Sequence, residues 1–241
     1  MQNPHNSSKS NLCMSRSASK LFFLIIFASV TAVLLSIPFA RASKAKAPSV
    51  MHTVSLPYYS TRGGWDSVLT LNNATHSPLT AALTLHSLDG EALPLPDVSI
   101  GSDLHIALRV SDLLAKAQSG GRFRKGSIEL RFNGSSMDLG AQLTVSNVKR
   151  RLSFDMEPPM AFKSSTLESL WWSPDSKTSG QVMLSNTTSG SLDLLMRVEW
   201  QGRVIPAQPI SLSPHQTVVL EIEDIMKNVH IKAKGIERGG L

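Results

Sequence analysis

The stretch "VLTLNNATHSPLTAAL", from Val68 to Leu83, decides the fold because a later stretch, "VMLSNTTSGSLDLLM" from Val182 to Met196, repeats its pattern. At an offset of 113 residues, Asn73 meets Asn186, and the apolar positions around them coincide. After a gap of one residue the match continues at an offset of 112. A period near 113 residues is too long for a solenoid unit and typical of a domain. We therefore predict two copies of one domain.

Short β-strands dominate each predicted copy. "SVLTLNN" and "QVMLSNT" alternate apolar and polar residues, which is the pattern of a strand with one buried face. Asp89-Gly90 is a turn pair in which glycine supplies the positive φ. "SDLLAKA" and "EDIMKNV" each predict one short helix, and "RLSFDM" predicts a last strand. "GSIELRF", a turn at "NGSS" and "DLGAQLTVS" predict a hairpin in the first copy.

About seven short strands in roughly 100 residues, with frequent turn signals, predict a sandwich of immunoglobulin-like type. The expected fold class is all-β, with two tandem immunoglobulin-like β-sandwich domains after an N-terminal leader. The first copy covers residues 50–156, the linker 157–166 and the second copy 167–241. The second copy stops where the first still has its hairpin, so it is predicted to be incomplete. A truncated gene and strands supplied by a partner both explain this.

Residues 1–42 are predicted to be an export leader. "LFFLIIFASVTAVLLSIPFA", from Leu21 to Ala40, follows two basic residues and precedes a small residue, Ala42, after which a signal peptidase would cut. An apolar run of about 20 residues is also long enough to span a bilayer, so an uncleaved signal anchor is the alternative. Met14 is a second candidate start. Residues 43–49 are predicted to be a flexible lead-in. The expected location is extracytoplasmic, either secreted or periplasmic, or membrane-anchored through this helix.

The composition favours a packed protein without a nucleic-acid partner. Hydrophobic residues make up 41% of the chain and charged residues 17%. Four basic residues lie in the leader, so the rest has 20 basic and 18 acidic residues. This nearly neutral balance does not provide the strong positive field that attracts nucleic acid. The single cysteine, Cys13, excludes an internal disulfide framework.

No catalytic motif is found in the sequence. The seven histidines have no metal-ligand spacing such as HxH or HExxH, and no GxSxG is present. His76 and His215 fall in predicted turns and His86 on a predicted strand, and all three are interpreted as surface residues. We therefore predict a protein that is not an enzyme, with no catalytic residue, no metal ligand and no cofactor.

Two aromatic pairs at matching places form a candidate sugar platform: Tyr58, Tyr59, Trp171 and Trp172. Flat apolar ring faces suit pyranose rings. Adjacent residues of a strand point to opposite faces, so one ring of each pair is expected in the core, and core packing is the alternative.

Basic residues cluster on both sides of the predicted hairpin. They are Arg122, Arg124 and Lys125 before it and Lys149, Arg150 and Arg151 after it. Antiparallel pairing of the hairpin would bring both groups to one end. Such a patch could bind anionic lipid headgroups or polysaccharide, and a solvated rim without a ligand is the alternative.

"SLPYYSTRGGWDSVLTLNN" and "GSIELRFNGSSMDLGAQLTVSN" resemble repeat domains in uncharacterised secreted proteins of soil bacteria, chiefly acidobacterial ones. The likeness covers most of the chain from Val50 to Met226. It implies an extracytoplasmic β-sandwich and no established catalytic residues. The predicted function is an exported, non-enzymatic binding or structural protein of the cell envelope, with a protein or polysaccharide partner or a membrane surface as its target. The alternative is a carbohydrate-binding module or accessory domain of a secreted hydrolase system.

Overall fold

A computed structural model describes residues 50–158, 170–172, 180–231 and 238–240, with the backbone alone for residues 170–172 and 238–239. The predicted leader, the lead-in and most of the predicted linker lie outside the described residues. The described part consists of antiparallel sheets with two short α-helices, so the all-β prediction is confirmed. Within these residues, no helix combines the length and apolar character needed to cross a bilayer.

The first half of the described chain forms two antiparallel sheets. Its strands are β1 (Val50–Ser60), β2 (Trp65–Asn73), β3 (Leu79–Ser87), β4 (Ala92–Pro94), β5 (Val98–Ile100), β6 (His105–Arg109), β7 (Lys125–Gly134), β8 (Leu139–Asn147) and β9 (Leu152–Met156). One sheet has the order β1-β7-β3-β4, with β5 also paired to β3. The other has the order β6-β2-β8-β9. A short helix, α1 (Val110–Lys116), follows β6.

Apolar side chains from both sheets meet in one core. Leu83 and Leu130 come from the first sheet and Leu69 and Leu143 from the second, and all four are fully buried. Burial along β2 alternates as the sequence predicted, because every second residue of a strand points to the same face. Helix α1 adds Val110 to the same core. This half is therefore a two-layered β-sandwich.

The prediction that β7 and β8 pair as a hairpin is wrong. Strand β7 pairs with β1 and β3 in one sheet, whereas β8 pairs with β2 and β9 in the other. The turn between them, in which Asp138 N donates to Ser135 O at 3.0 Å, carries the chain from one layer to the other. Residues 126–130 of β7 are all buried. Because β7 lies between β1 and β3, the backbone N–H and C=O groups of this buried segment have a neighbouring strand on each side to bond to.

The second half has shorter strands and a smaller core. Its elements are β10 (Leu170–Trp172), β11 (Gln181–Ser185), β12 (Leu192–Leu194), β13 (Arg197–Trp200), β14 (Arg203–Pro206), β15 (Ile210–Leu212), β16 (Thr217–Glu221), helix α2 (Ile222–Asn228) and β17 (Arg238–Gly240). Strand β11 pairs with β16, β12 with β15, β13 with β14, and β17 with both β10 and β13. Val198 and Ile222 are central to the core of this half.

Equivalent strands in the two halves pair in the same register. A residue pair of the first half becomes a residue pair of the second half when 113 is added to the number of its first residue and 112 to the number of its second. The pair Val68–Arg109 thus corresponds to Gln181–Glu221, and the pair Leu79–Ile100 corresponds to Leu192–Leu212. Helices α1 and α2 differ by the same 112 residues at both ends.

A buried asparagine closes the same turn in both halves. Asn73 Nδ2 donates to the carbonyl oxygens of Ser77, Ile100 and Gly101 at 2.8, 3.2 and 2.9 Å. Its Oδ1 accepts from the backbone N and the hydroxyl of Thr75 at 2.9 and 2.8 Å.

The asparagine of the second half repeats these contacts. Asn186 Nδ2 donates to the carbonyls of Gly190, Leu212 and Ser213, and its Oδ1 accepts from Thr188 in the same two ways. The "NAT" and "NTT" triplets of the sequence are therefore turn motifs whose asparagine side chains are fully engaged in the fold.

Candidate functional site

The two basic segments singled out in the sequence border one loop at an end of the first sandwich. The loop, residues 61–64, joins β1 to β2. Thr61 N donates to Arg124 O at 2.8 Å, and Asn147 Nδ2 donates to Gly63 O at 3.3 Å. The segment before β7 and the segment after β8 are thus held on either side of the loop. The predicted proximity does not need a hairpin, because β7 begins and β8 ends at the same end of the sandwich.

We call this surface the basic end. Its members are Arg62, Arg122, Arg124, Lys125, Lys149, Arg150 and Arg151. Arg62 was not among the predicted residues, since it lies about 60 positions away from the nearest of them along the chain. Arg122 forms a two-oxygen ion pair with Glu91. Among the described residues, none of the other six forms an ion pair.

Apolar side chains are exposed within the basic end. Val148 and Leu152 flank the segment from Lys149 to Arg151, and 84% and 49% of their surfaces are exposed. The segment is a tight turn in which Asn147 Oδ1 accepts from Arg150 N at 3.1 Å. The turn presents basic and apolar groups to solvent together.

The predicted sugar platform is not formed by the tyrosines. Tyr58 and Tyr59 are 6% and 0% exposed, so neither offers a ring face to a ligand. The pairing of β1 with β7 shifts register between Leu56 and Tyr59, which interrupts the regular alternation and allows adjacent rings to be buried. Tyr59 donates its hydroxyl to Phe123 O at 2.7 Å, and burial raises the pKa of this phenol. Core packing is therefore the correct alternative for this pair, although both rings are buried where one was expected. The side chains of Trp171 and Trp172 lie outside the described residues.

The outer face of the first sheet is covered in part by the second half. Ser185 Oγ donates to Pro57 O at 2.7 Å, and Thr217 N donates to Leu88 O at 3.0 Å. At Gly90, an added Cβ would lie 2.3 Å from Pro214 O, so the two turns pack closely. Polar residues that point away from the core of the first sandwich are buried at this junction.

Two of these residues, His86 on β3 and Glu129 on β7, meet His215 in the turn before β16, and we call the three the junction cluster. The two imidazole rings are stacked, with centroids 4.3 Å apart and planes 9° from parallel. Glu129 Oε2 lies 4.0 Å from His86 Nε2 and 3.8 Å from His215 Nδ1. Arg131 Nε holds the other carboxylate oxygen at 2.7 Å.

His86 is 5% exposed, and neither of its ring nitrogens has a hydrogen-bond partner within the part of the chain that the structure describes. The interpretation of His86 as a surface residue is therefore wrong, because the second half covers its strand. Of the residues the structure describes, only His86, Glu129 and His215 form a group of three whose metal-ligating atoms all lie within 4.8 Å of one another. The sequence offered no signal for this cluster, since its members lie far apart and in no ligand spacing.

Burial at the junction lowers the pKa of His86. The largest cause is desolvation of the ring, followed by the charge of His215. Glu129 and the nearby backbone of Gly90 act in the opposite direction, although the Gly90 contact does not reach hydrogen-bond geometry, and Arg131 adds a smaller lowering effect. In contrast, Asp103 accepts a hydrogen bond from exposed His76 at 2.9 Å and raises the pKa of that ring.

We expect acid to weaken the fold through His86. The unfolded chain takes up a proton at this residue near pH 6.5, whereas the folded chain resists protonation, so the free energy of unfolding falls as the pH drops below about 6.5. His86→Phe keeps a ring of similar shape and has no nitrogen to protonate. Between pH 7.5 and pH 5.5, with a chelator present, the melting temperature should fall less for this variant than for the natural chain. Equal decreases in melting temperature would contradict the role of His86 in the acid sensitivity.

Comparison of the chain with models of known families, with curated proteins and with solved structures yields no match. The resemblance to secreted bacterial repeat proteins therefore stays a prediction.

Proposed function

We propose that the chain is an exported, non-enzymatic binding protein of the cell envelope, and that its basic end binds an anionic membrane surface. The observation that carries the proposal is the joining of two basic segments and Arg62 around a single loop. Six of the seven cations form no ion pair with another described residue, so their charge is available to a ligand. No reaction is assigned, since the sequence offers no recognised nucleophile and base.

A membrane fits the basic end better than a polysaccharide does. Val148 and Leu152 are exposed beside Lys149–Arg151. Apolar side chains among basic ones suit the membrane interface, where the former contact the acyl boundary and the latter contact anionic headgroups. An acidic polysaccharide would bind the cations, but contact with the exposed side chain of Val148 would add little to its affinity.

We also propose that the two halves are copies of one immunoglobulin-like domain. The shared register and the two buried asparagines support common ancestry of the halves. In an immunoglobulin sandwich, strand B pairs with E and strand C with F. The pairing of β2 with β6 corresponds to B with E, and the pairing of β3 with β7 corresponds to C with F. The first strand, β1, and the strand after β7, β8, differ from immunoglobulin strands A and G, because each lies in the other sheet of the sandwich.

Vesicle co-sedimentation of the full-length chain tests the membrane proposal. We expect binding to vesicles that contain phosphatidylglycerol, little binding to pure phosphatidylcholine, and a decrease from low to physiological salt. Each basic residue near an anionic surface contributes about 1 kcal/mol, so the double change Lys149→Gln and Arg150→Gln should weaken binding about 30-fold. The neutral vesicles measure any contact made by the apolar leader.

A matched control removes the same charge elsewhere. Arg203 and Lys227 are exposed in the second half, and their joint change to glutamine should leave vesicle binding almost unchanged. Equal losses in the two double variants would reject the basic end as the binding surface. Retention by an acidic polysaccharide without any binding to anionic vesicles would favour the carbohydrate-binding alternative instead.

A further inference from the structure

We propose that the junction cluster, His86, Glu129 and His215, is a binding site for a divalent transition-metal ion, and that Zn²⁺ is the ion it fits best. Two imidazoles and one carboxylate form a ligand set that zinc accepts, with solvent in the fourth position. This site is independent of the basic end and of the membrane proposal.

The buried state of His86 is the second observation that points to a ligand. Buried polar side chains in proteins are almost always hydrogen-bonded, and each exception requires an explanation. Neither ring nitrogen of His86 has a hydrogen-bond partner among the described residues, and Nε2 lies 4.0 Å from the carboxylate oxygen that His215 Nδ1 approaches at 3.8 Å. A metal ion at this point would satisfy a nitrogen that no described residue partners.

The distances require a small contraction. Zinc bonds of about 2.0–2.1 Å in a tetrahedron place ligand atoms about 3.3 Å apart. The two distances to Glu129 Oε2 are 4.0 and 3.8 Å, so each must shorten by about half an ångström or slightly more. One ion cannot lie in the planes of two parallel rings, so one ring must turn. His215 is only half-buried and lies in a turn, whereas His86 is packed inside, and we assign the movement to His215.

Arg131 prepares the carboxylate for this role. Its Nε binds Glu129 Oε1 at 2.7 Å, which orients the side chain and leaves Oε2 for the ion. The Arg131 side chain is largely exposed, so solvent screens its charge. His86 and Glu129 belong to the first half and His215 to the second. Bound zinc would therefore join the two halves and stabilise their junction.

Isothermal titration of the purified full-length chain with Zn²⁺ alone tests the proposal. We expect one saturable site, an increase in melting temperature on binding, and tetrahedral Co²⁺ absorption bands when Co²⁺ replaces Zn²⁺. His215→Asn should weaken binding by more than about tenfold, because even the loss of a residue that only supports a ligand costs about 10–100-fold. Asparagine suits this position, since His215 has a φ of 55°.

The control variant is His76→Asn, which removes another histidine that contacts a carboxylate but lies outside the cluster. It should bind Zn²⁺ like the natural chain. Glu129→Gln provides a second loss-of-ligand variant, and circular dichroism establishes that each variant is folded. The proposal is overturned if the natural chain binds no zinc, if folded His215→Asn and Glu129→Gln bind it unchanged, or if His76→Asn loses binding equally.

Discussion

Replacing Gly126 with alanine is expected to lower the free energy of unfolding by about 4 kcal/mol or more, which places it among the most destabilising single substitutions. A Cβ at this position would lie 1.7 Å from His86 O and 2.8 Å from the carbonyl carbon of His86. Both atoms belong to the backbone of β3, so no side-chain rotation relieves the overlap. The strands β3 and β7 must separate where Gly126 faces Ser87 and Ser127 faces His86.

Gly140→Ala is the matched control for this substitution. Gly140 is also a strand glycine, but its added Cβ would find its nearest neighbour, the Cβ of Asn72, at an ordinary 3.6 Å. We expect a change within about 1 kcal/mol, since alanine restricts the unfolded chain more than glycine does. Urea unfolding monitored by circular dichroism compares the variants. Similar stabilities for Gly126→Ala and Gly140→Ala would show that β3 and β7 do not approach each other as described.

Removal of the Asn73 side chain is expected to have the second-largest effect, a loss of about 2–4 kcal/mol. Asn73→Ala leaves the carbonyls of Ser77, Ile100 and Gly101 without their side-chain donor and Thr75 without its acceptor. The residue is 1% exposed, so water can replace these bonds only if the turn opens. Orphaned buried groups cost more than the net value of the bonds they lose.

The same measurement distinguishes this effect from a general sensitivity of the strand. Asn72 precedes Asn73 and is exposed, so Asn72→Ala should change the stability by less than about 0.5 kcal/mol. Asn186→Ala should reproduce the loss in the second half, where the side chain makes the corresponding contacts. If Asn73→Ala is as mild as Asn72→Ala, the turn does not depend on the asparagine.

Local features of the fold were predictable because they depend on neighbours along the chain. The alternation in β2, the strand at Leu152–Met156 and the short helices all appear where the sequence indicated them. The Asp89-Gly90 turn is present, with Gly90 at a φ of 88° and its N donating to Ser87 O at 3.1 Å. The proximity of the two basic segments was also foreseen, although the assumed pairing was wrong.

The failures have a common physical origin. The alternating pattern of β7, with Ser127 and Glu129 between apolar residues, indicates one buried face. Both polar residues are nevertheless buried, because the second half covers the outer face of the sheet. The same covering buries His86. An alternating pattern indicates which residues share a face, but it carries no information about what packs on the polar face.

The amino-acid sequence by itself determined that this chain forms antiparallel β-structure and where several of its turns lie. Side-chain alternation and turn chemistry act over a few residues, so they are readable in the order of the letters. Only the tertiary structure decided that β7 and β8 belong to opposite sheets and that His86, Glu129 and His215 meet. Those outcomes depend on which surfaces pack together and exclude water. The two surfaces in each such contact come from residues that are distant along the chain.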